Sequence, residues 1–343
     1  MSAHLPALVL IAVTCIWGST FVVTKDLLQQ APPLSYVALR FSIAAAGILL
    51  IAATQPKRTL AAWRRPHLLA DGVLLGLLNA GGMLFQVFGQ LYTTPSKSAF
   101  ITSLNTPLTA VMGFLLHRLV PTRPQRIGVL LATVGLALLT WPGGQGAVNT
   151  GDLLTCVCAL LYGVYIVESA RRAPRQAPLA LATVQIGLGA LVFSALWAAA
   201  QLAIAYLSSV PRLLQLERAS FPRTPHALAE LAYMAIVCVV VGLLAQTWAF
   251  QRLSATTAAL IFALEPVVAT AFAVAVGGPS ELPGPRGMSG AFLVLCAIYV
   301  AEARPRRLRR TTAAIASAHS GAGEGRAAQP PETSQPDEDF GPQ

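Results

Sequence analysis

Polar positions in this chain are gathered into short stretches that separate long apolar runs. Ten such runs can be marked, at roughly 6–24, 34–53, 70–92, 98–116, 127–141, 153–169, 179–201, 229–250, 256–276 and 288–302. A helix needs about 20 mostly apolar residues to cross a bilayer, and only a structure that pairs its own backbone survives in hydrocarbon. The pattern therefore predicts an all-α membrane protein of ten transmembrane helices. The fifth and tenth runs are short, so these helices either tilt little or extend into flanking residues. Two stretches stand apart. Residues 202–228 form the longest connection, with Pro211, Pro222 and Pro225 and a short surface helix around Arg212–Arg218. Residues 303–343 open with five arginines between 304 and 310, contain no apolar run and finish acidic, which reads as a disordered cytoplasmic tail.

Composition agrees with the pattern. Of 343 residues 55% are apolar and 11% are charged, against about 25% charged in an ordinary soluble domain. Mean hydropathy is +0.62. This excludes a soluble enzyme, a disordered chain and, despite a net charge of +10, a nucleic-acid partner. Five cysteines are too few for a disulfide scaffold. The first run lacks a basic leader and a small-residue cleavage site, so it reads as a retained span.

Lysine and arginine collect in cytoplasmic loops. With the N-terminus inside, seventeen of the 24 basic residues fall on the inner side and six on the outer, Arg40 lying within a span. Both termini are predicted cytoplasmic, and the positive charge is accounted for by orientation and by contact with anionic lipids.

The fourth and ninth runs resemble each other. Thr94–Ile101 and Leu104–Leu108 align without gaps, at an offset of 159, with Leu253–Leu260 and Ala263–Val267, and each carries a proline in mid-span, Pro107 and Pro266. Trp17-Gly18 matches Tyr162-Gly163 at an offset of 145. The chain reads as two five-helix halves, 1–143 and 150–302, joined by the glycine-rich 142–146. An odd number of spans per half inserts the second half upside down, as in inverted-repeat transporters.

The run Cys15-Ile16-Trp17-Gly18-Ser19-Thr20-Phe21, Arg40-Phe41 in the second span and Ser254–Ala269 with Glu265-Pro266 resemble, in this order, the signatures of the EamA-type drug/metabolite transporter superfamily. The resemblance covers about residues 5–302. It implies two inverted EamA repeats that move small metabolites, often amino acids or related compounds, across a bacterial inner membrane. One departure is His117-Arg118, where members commonly carry an acidic residue.

The residues that would carry such a function can be named. Glu265 sits at mid-span, where a charge costs about 2.5–3.5 kcal/mol. It is expected to face a hydrated cavity and either bind a substrate amine or carry a coupling proton. Pro266 removes a backbone donor and frees the carbonyl of Phe262; with Pro107 it is a candidate structural hinge. Arg40 and Lys25 make a candidate cationic patch for a carboxylate or a phosphate, Trp17 and Tyr162 a candidate aromatic lining, and Asn105 and Gln246 candidate polar contacts. Asn79, Gln86, Gln90 and Gln185 are further amides within spans. Gly72 and Gly76, at small-xxx-small spacing, predict close helix packing.

No catalytic residue, cofactor or metal site is expected. The histidines (His4, His67, His117, His226, His319) lie at span edges, in loops or in the tail, Asp71 and Asp152 stand singly at span starts, and no Gly-x-x-x-x-Gly-Lys cradle is present. The favoured reading is a secondary transporter, with export the favoured direction, for a small polar metabolite and with a proton as candidate coupling ion. A channel or structural membrane subunit is the first alternative, an intramembrane lipid-modifying enzyme the second. Monomer and homodimer are equally compatible with the sequence.

Overall fold

Local sequence sets where the helices begin. Pro6, Pro33, Pro95, Pro178 and Pro225 occupy the first or second helical position, where the missing N–H would have no partner in any case. Thr94, Thr224 and Ser254 accept a backbone N–H three residues on, and Asn149 with Asp152 forms a reciprocal capping box. A computed structural model describes residues 4–140, 149–207, 209–277 and 284–302 of the chain. The glycine-rich junction and the tail lie outside the described residues.

The long helices are α1 (Leu5–Gln30), α2 (Pro33–Ala53), α3 (Leu68–Tyr92), α4 in two pieces (Pro95–Ser103 and Asn105–His117), α5 (Arg123–Thr140), α6 (Thr150–Arg172), α7 (Pro178–Tyr206), α8 (Pro225–Ala232, a π-helical Tyr233–Val241, and Gly242–Phe250), α9 in two pieces (Ala255–Phe262 and Glu265–Gly277) and α10 (Pro285–Glu302), with a short helix, Pro56–Trp63, between α2 and α3. There is no strand among the described residues. The short surface helix expected near 212 is present as Arg212–Gln215 with a 3-10 turn at Leu216–Arg218. Eight of the ten, all but α5 and α10, contain stretches long and apolar enough to cross a membrane. The other two begin with Arg123, Gln125 and Arg126 or with Arg286, so their apolar lengths are short. They pack along each other. Leu50, Leu130, Leu191 and Phe292 project outward, a surface suited to lipid tails.

The principal helix contacts are unchanged by exchanging helix n with helix n+5. Pairs α3–α6, α3–α7 and α4–α6 are matched by α8–α1, α8–α2 and α9–α1, while α2–α7, α5–α10 and α4–α9 map onto themselves. In the last pair the first piece of α4 lies beside the second piece of α9, and the second piece of α4 beside the first piece of α9. Equivalent helices thus run antiparallel. The exchange axis is perpendicular to them. The helix breaks obey it too, falling at Leu104 and at Ala263–Leu264, each just before the proline that withholds an N–H.

Two buried ionic clusters tie α6 to α3 and α4. The inner face is the one that carries the excess of lysine and arginine. There Arg172 donates to Asp71 at 2.6 Å and to Glu168 at 2.7 Å, His117 pairs with Glu168, and Gln176 donates to Asp71 at 2.8 Å. On the outer face Lys97 meets Asp152 at 2.6 Å, and Thr93 donates to the same carboxylate. Asp71 and Asp152, solitary in the sequence, are therefore both partnered. Gly72 and Gly76 pack as expected, a Cβ at Gly72 falling 2.5 Å from Val184 and one at Gly76 2.9 Å from Leu188.

Candidate functional site

Seven helices (α1, α2, α3, α4, α6, α8 and α9) surround one cavity. It sits where α4 and α9 break, so Asn105 and Glu265, the first residues of the second pieces, both reach it. Broken helices at mid-membrane are where transporters place substrate and ion sites, because unwound backbone and helix ends supply polarity inside hydrocarbon.

Of the candidate residues, Glu265, Arg40, Trp17, Tyr162, Asn105 and Gln246 all line this cavity. Glu265 is 7% exposed, and neither an ion pair nor a hydrogen bond engages its carboxylate among the described residues. Arg40 is 4% exposed. One guanidinium nitrogen donates to the Tyr36 hydroxyl at 3.1 Å and lies 3.8 Å from the Met83 sulfur, while its Nε has no partner. No carboxylate lies within ion-pair distance of it among the described residues. The cavity thus holds one acid and one base, neither neutralised by an opposite charge.

The rest of the wall is aromatic and amide. Trp17 stacks on Phe262 with centroids 5.6 Å apart and donates through Nε1 to the Cys238 carbonyl at 2.9 Å. Cys238 belongs to the π-helical stretch of α8, and such stretches are frequent at functional sites. A Cβ at Gly242 would stand 2.8 Å from the Trp17 nitrogen, so only glycine lets the indole lie against this helix. The Tyr165 hydroxyl stands 3.0 Å from the amide oxygen of Gln185 and 3.2 Å from that of Gln246, and its single proton is shared between them. Gln185 and Gln90 themselves do not line the cavity, although Asn79 and Gln86 do.

A family model for the EamA-like transporter family matches this chain twice, over residues 4–141 and 149–302. The chain belongs to the EamA-like transporter family. An uncharacterized transporter of Archaeoglobus fulgidus is 30% identical over 292 residues, 85% of this chain and 84% of that one. YyaM, an uncharacterized transporter of Bacillus subtilis, is 26% identical over 83% of this chain and 89% of its own. YedA of Escherichia coli, named an inner membrane transporter, is 24% identical over 78% and 82%. A crystal structure superposes with a TM-score of 0.65 at 19% identity, covering 90% of this chain and 98% of that one, and supports the fold. This EamA transporter is accordingly a multi-pass membrane protein built from two EamA repeats.

Lys25 is placed apart from the other candidates. Its ammonium donates to the carbonyls of Gln90 at 2.7 Å and Thr93 at 3.1 Å, capping the C-terminal end of α3, and it does not line the cavity. The sequence paired it with Arg40 because both lie toward the outer ends of adjacent spans; the fold turns it to free carbonyls that need a donor. Lys25→Gln in this EamA transporter is expected to lower stability by about 1 kcal/mol and to leave the substrate KM unchanged. Thermal unfolding and uptake kinetics on the same preparation check both halves. Cavity residues that sequence reasoning passed over include Thr20, Met83 and Thr102. Met83 was legible, since Asn79, Met83 and Gln86 fall at i, i+4 and i+7 on one helical face.

Proposed function

We propose that this EamA transporter is a secondary exporter of a small polar metabolite, an amino acid or a related compound, across a bacterial inner membrane, working by alternating access with both termini in the cytoplasm. The observation that carries the reading is the pair of uncompensated buried charges, Arg40 and Glu265, in one cavity walled by both repeats. A zwitterion offers a carboxylate to the first and an ammonium to the second, and its side chain meets Trp17, Tyr162 and Phe262. Arginine suits the first task because its fork can hold a carboxylate through two hydrogen bonds.

The contact pattern is consistent with the moving parts that alternating access needs. Helices α3, α4 and α6 form one unit and α8, α9 and α1 its antiparallel counterpart, meeting along α4 and α9. Rocking these units about their contact exposes the cavity first to one side and then to the other, and the exchange symmetry gives the two states similar energy. When substrate is absent, a proton on Glu265 supplies the missing neutralisation, which is the basis for proton coupling.

Counterflow in proteoliposomes tests this. Vesicles preloaded with a panel of unlabelled amino acids are expected to accumulate at least one labelled member, saturably, and faster when a pH gradient is imposed. Flux that rises linearly with concentration, or no flux of any member, would overturn the reading.

A further inference from the structure

The outer ends of α1 and α8 meet at a cluster the transport cycle above does not use. Asp26 lies near the C-terminal end of α1, and His226 and Glu230 lie one turn apart at the start of α8. The histidines were scattered in sequence, yet the fold brings His226 to a carboxylate 200 residues away. Its Nε2 stands 3.4 Å from Asp26 Oδ2 and 3.5 Å from Glu230 Oε1, and one donor atom from each residue lies within 4.8 Å of the other two. These separations are long for hydrogen bonds, which run at about 2.7–3.2 Å. They match a coordination tetrahedron, in which zinc bonds of about 2.0–2.1 Å to histidine and carboxylate place donor atoms about 3.4 Å apart.

A further observation points to a missing cation. Glu230 Oε2 is buried and has no hydrogen-bond partner, although a buried carboxylate oxygen is costly to leave bare. Among the described residues no lysine or arginine comes within ion-pair distance of the cluster.

We propose that Asp26, His226 and Glu230 bind a first-row divalent transition ion, with Zn²⁺ the best match, which fastens α1 to α8 as Arg172 fastens α6 to α3. One imidazole with two carboxylates suits Zn²⁺, Co²⁺ or Mn²⁺ rather than thiolate-seeking ions or octahedral Mg²⁺. The side chains of His226 and Asp26 are 71% and 42% exposed, which leaves an entry path and room for a water as a further ligand.

The proposal stands independently of the transport reading and is tested without it. The full chain, purified in detergent without a histidine tag, is titrated calorimetrically with Zn²⁺ and followed by visible absorption with Co²⁺. One equivalent of each is expected, with His226→Ala and Asp26→Asn each weakening binding by more than the about tenfold lost when an outer partner of a metal ligand is removed. Both substitutions fall on solvent-exposed side chains, and size exclusion confirms that the variants remain folded. A full chain that takes up no Zn²⁺, or variants that bind it with undiminished affinity, would overturn the proposal.

Discussion

Glu265→Gln is expected to slow transport by about 10- to 100-fold while leaving the protein folded. A hydrogen bond to a charged group contributes about 1.5–3 kcal/mol, and each 1.4 kcal/mol is a factor of ten in affinity or rate. The amide keeps the shape of the carboxyl and loses only its charge and its capacity to carry a proton. Stability moves the other way, or not at all. Glu265 is buried without an ion pair or hydrogen bond, so neutralising it removes a desolvation cost and breaks no contact. The variant should therefore unfold at the same temperature as the parent or higher. Initial rates in proteoliposomes, measured across external pH, separate the two proposed roles. A substrate-binding carboxylate predicts a raised KM with the pH profile kept, and a coupling carboxylate predicts a lost response to the pH gradient. Normal rates with unchanged pH dependence would remove Glu265 from the mechanism.

The sequence made Glu265 visible because a lone acid in an apolar run has no bland place to sit. Arg40 stood out for the same reason, and the paired prolines of α4 and α9 marked the breaks because a missing N–H acts locally. Lys25 was less tractable. Its distance from the bilayer centre was readable, but its partners are carbonyls at the end of α3, more than 60 residues away. Every residue has a carbonyl, so no pattern of side chains announces them. The ionic clusters were hidden for a similar reason. Asp71, His117, Glu168 and Arg172 are ordinary span-edge residues until the helices are stacked, and nothing in their spacing says which edges meet. Helix ends also ran beyond the apolar runs, α1 reaching Gln30 through Lys25 and Asp26, because backbone hydrogen bonding continues where the hydrocarbon stops.

Removing the cation of the inner-face cluster should have the largest effect on stability. Arg172→Met takes the bridging guanidinium from the Asp71 and Glu168 side chains, 2% and 8% exposed, and leaves Asp71 only the Gln176 amide and Glu168 only His117 and the more distant Arg171. Breaking a buried pair from one side costs about 3–5 kcal/mol, and the arginine side chain is 28% exposed, which places this case at the lower end. A loss of about 3 kcal/mol corresponds to a fall of about 4–5 °C in Tm for a chain of this size. The cost lies in the stranded carboxylates rather than in the lost arginine, so neutralising them should restore most of it. Asp71→Asn with Glu168→Gln in the Arg172→Met background is expected to recover at least half of the lost Tm, read by thermal unfolding in detergent. Equal losses in the single and triple variants would instead assign the effect to packing of the arginine stem. The same comparison bears on the transport cycle. The cluster joins α6 to α3 and α4 at the inner face, as Lys97 and Asp152 join α6 to α4 at the outer, so these three helices are clamped at both ends. A unit held in that way moves as one body, and the single variant, which loosens one end, is expected to lose transport more steeply with temperature than the triple.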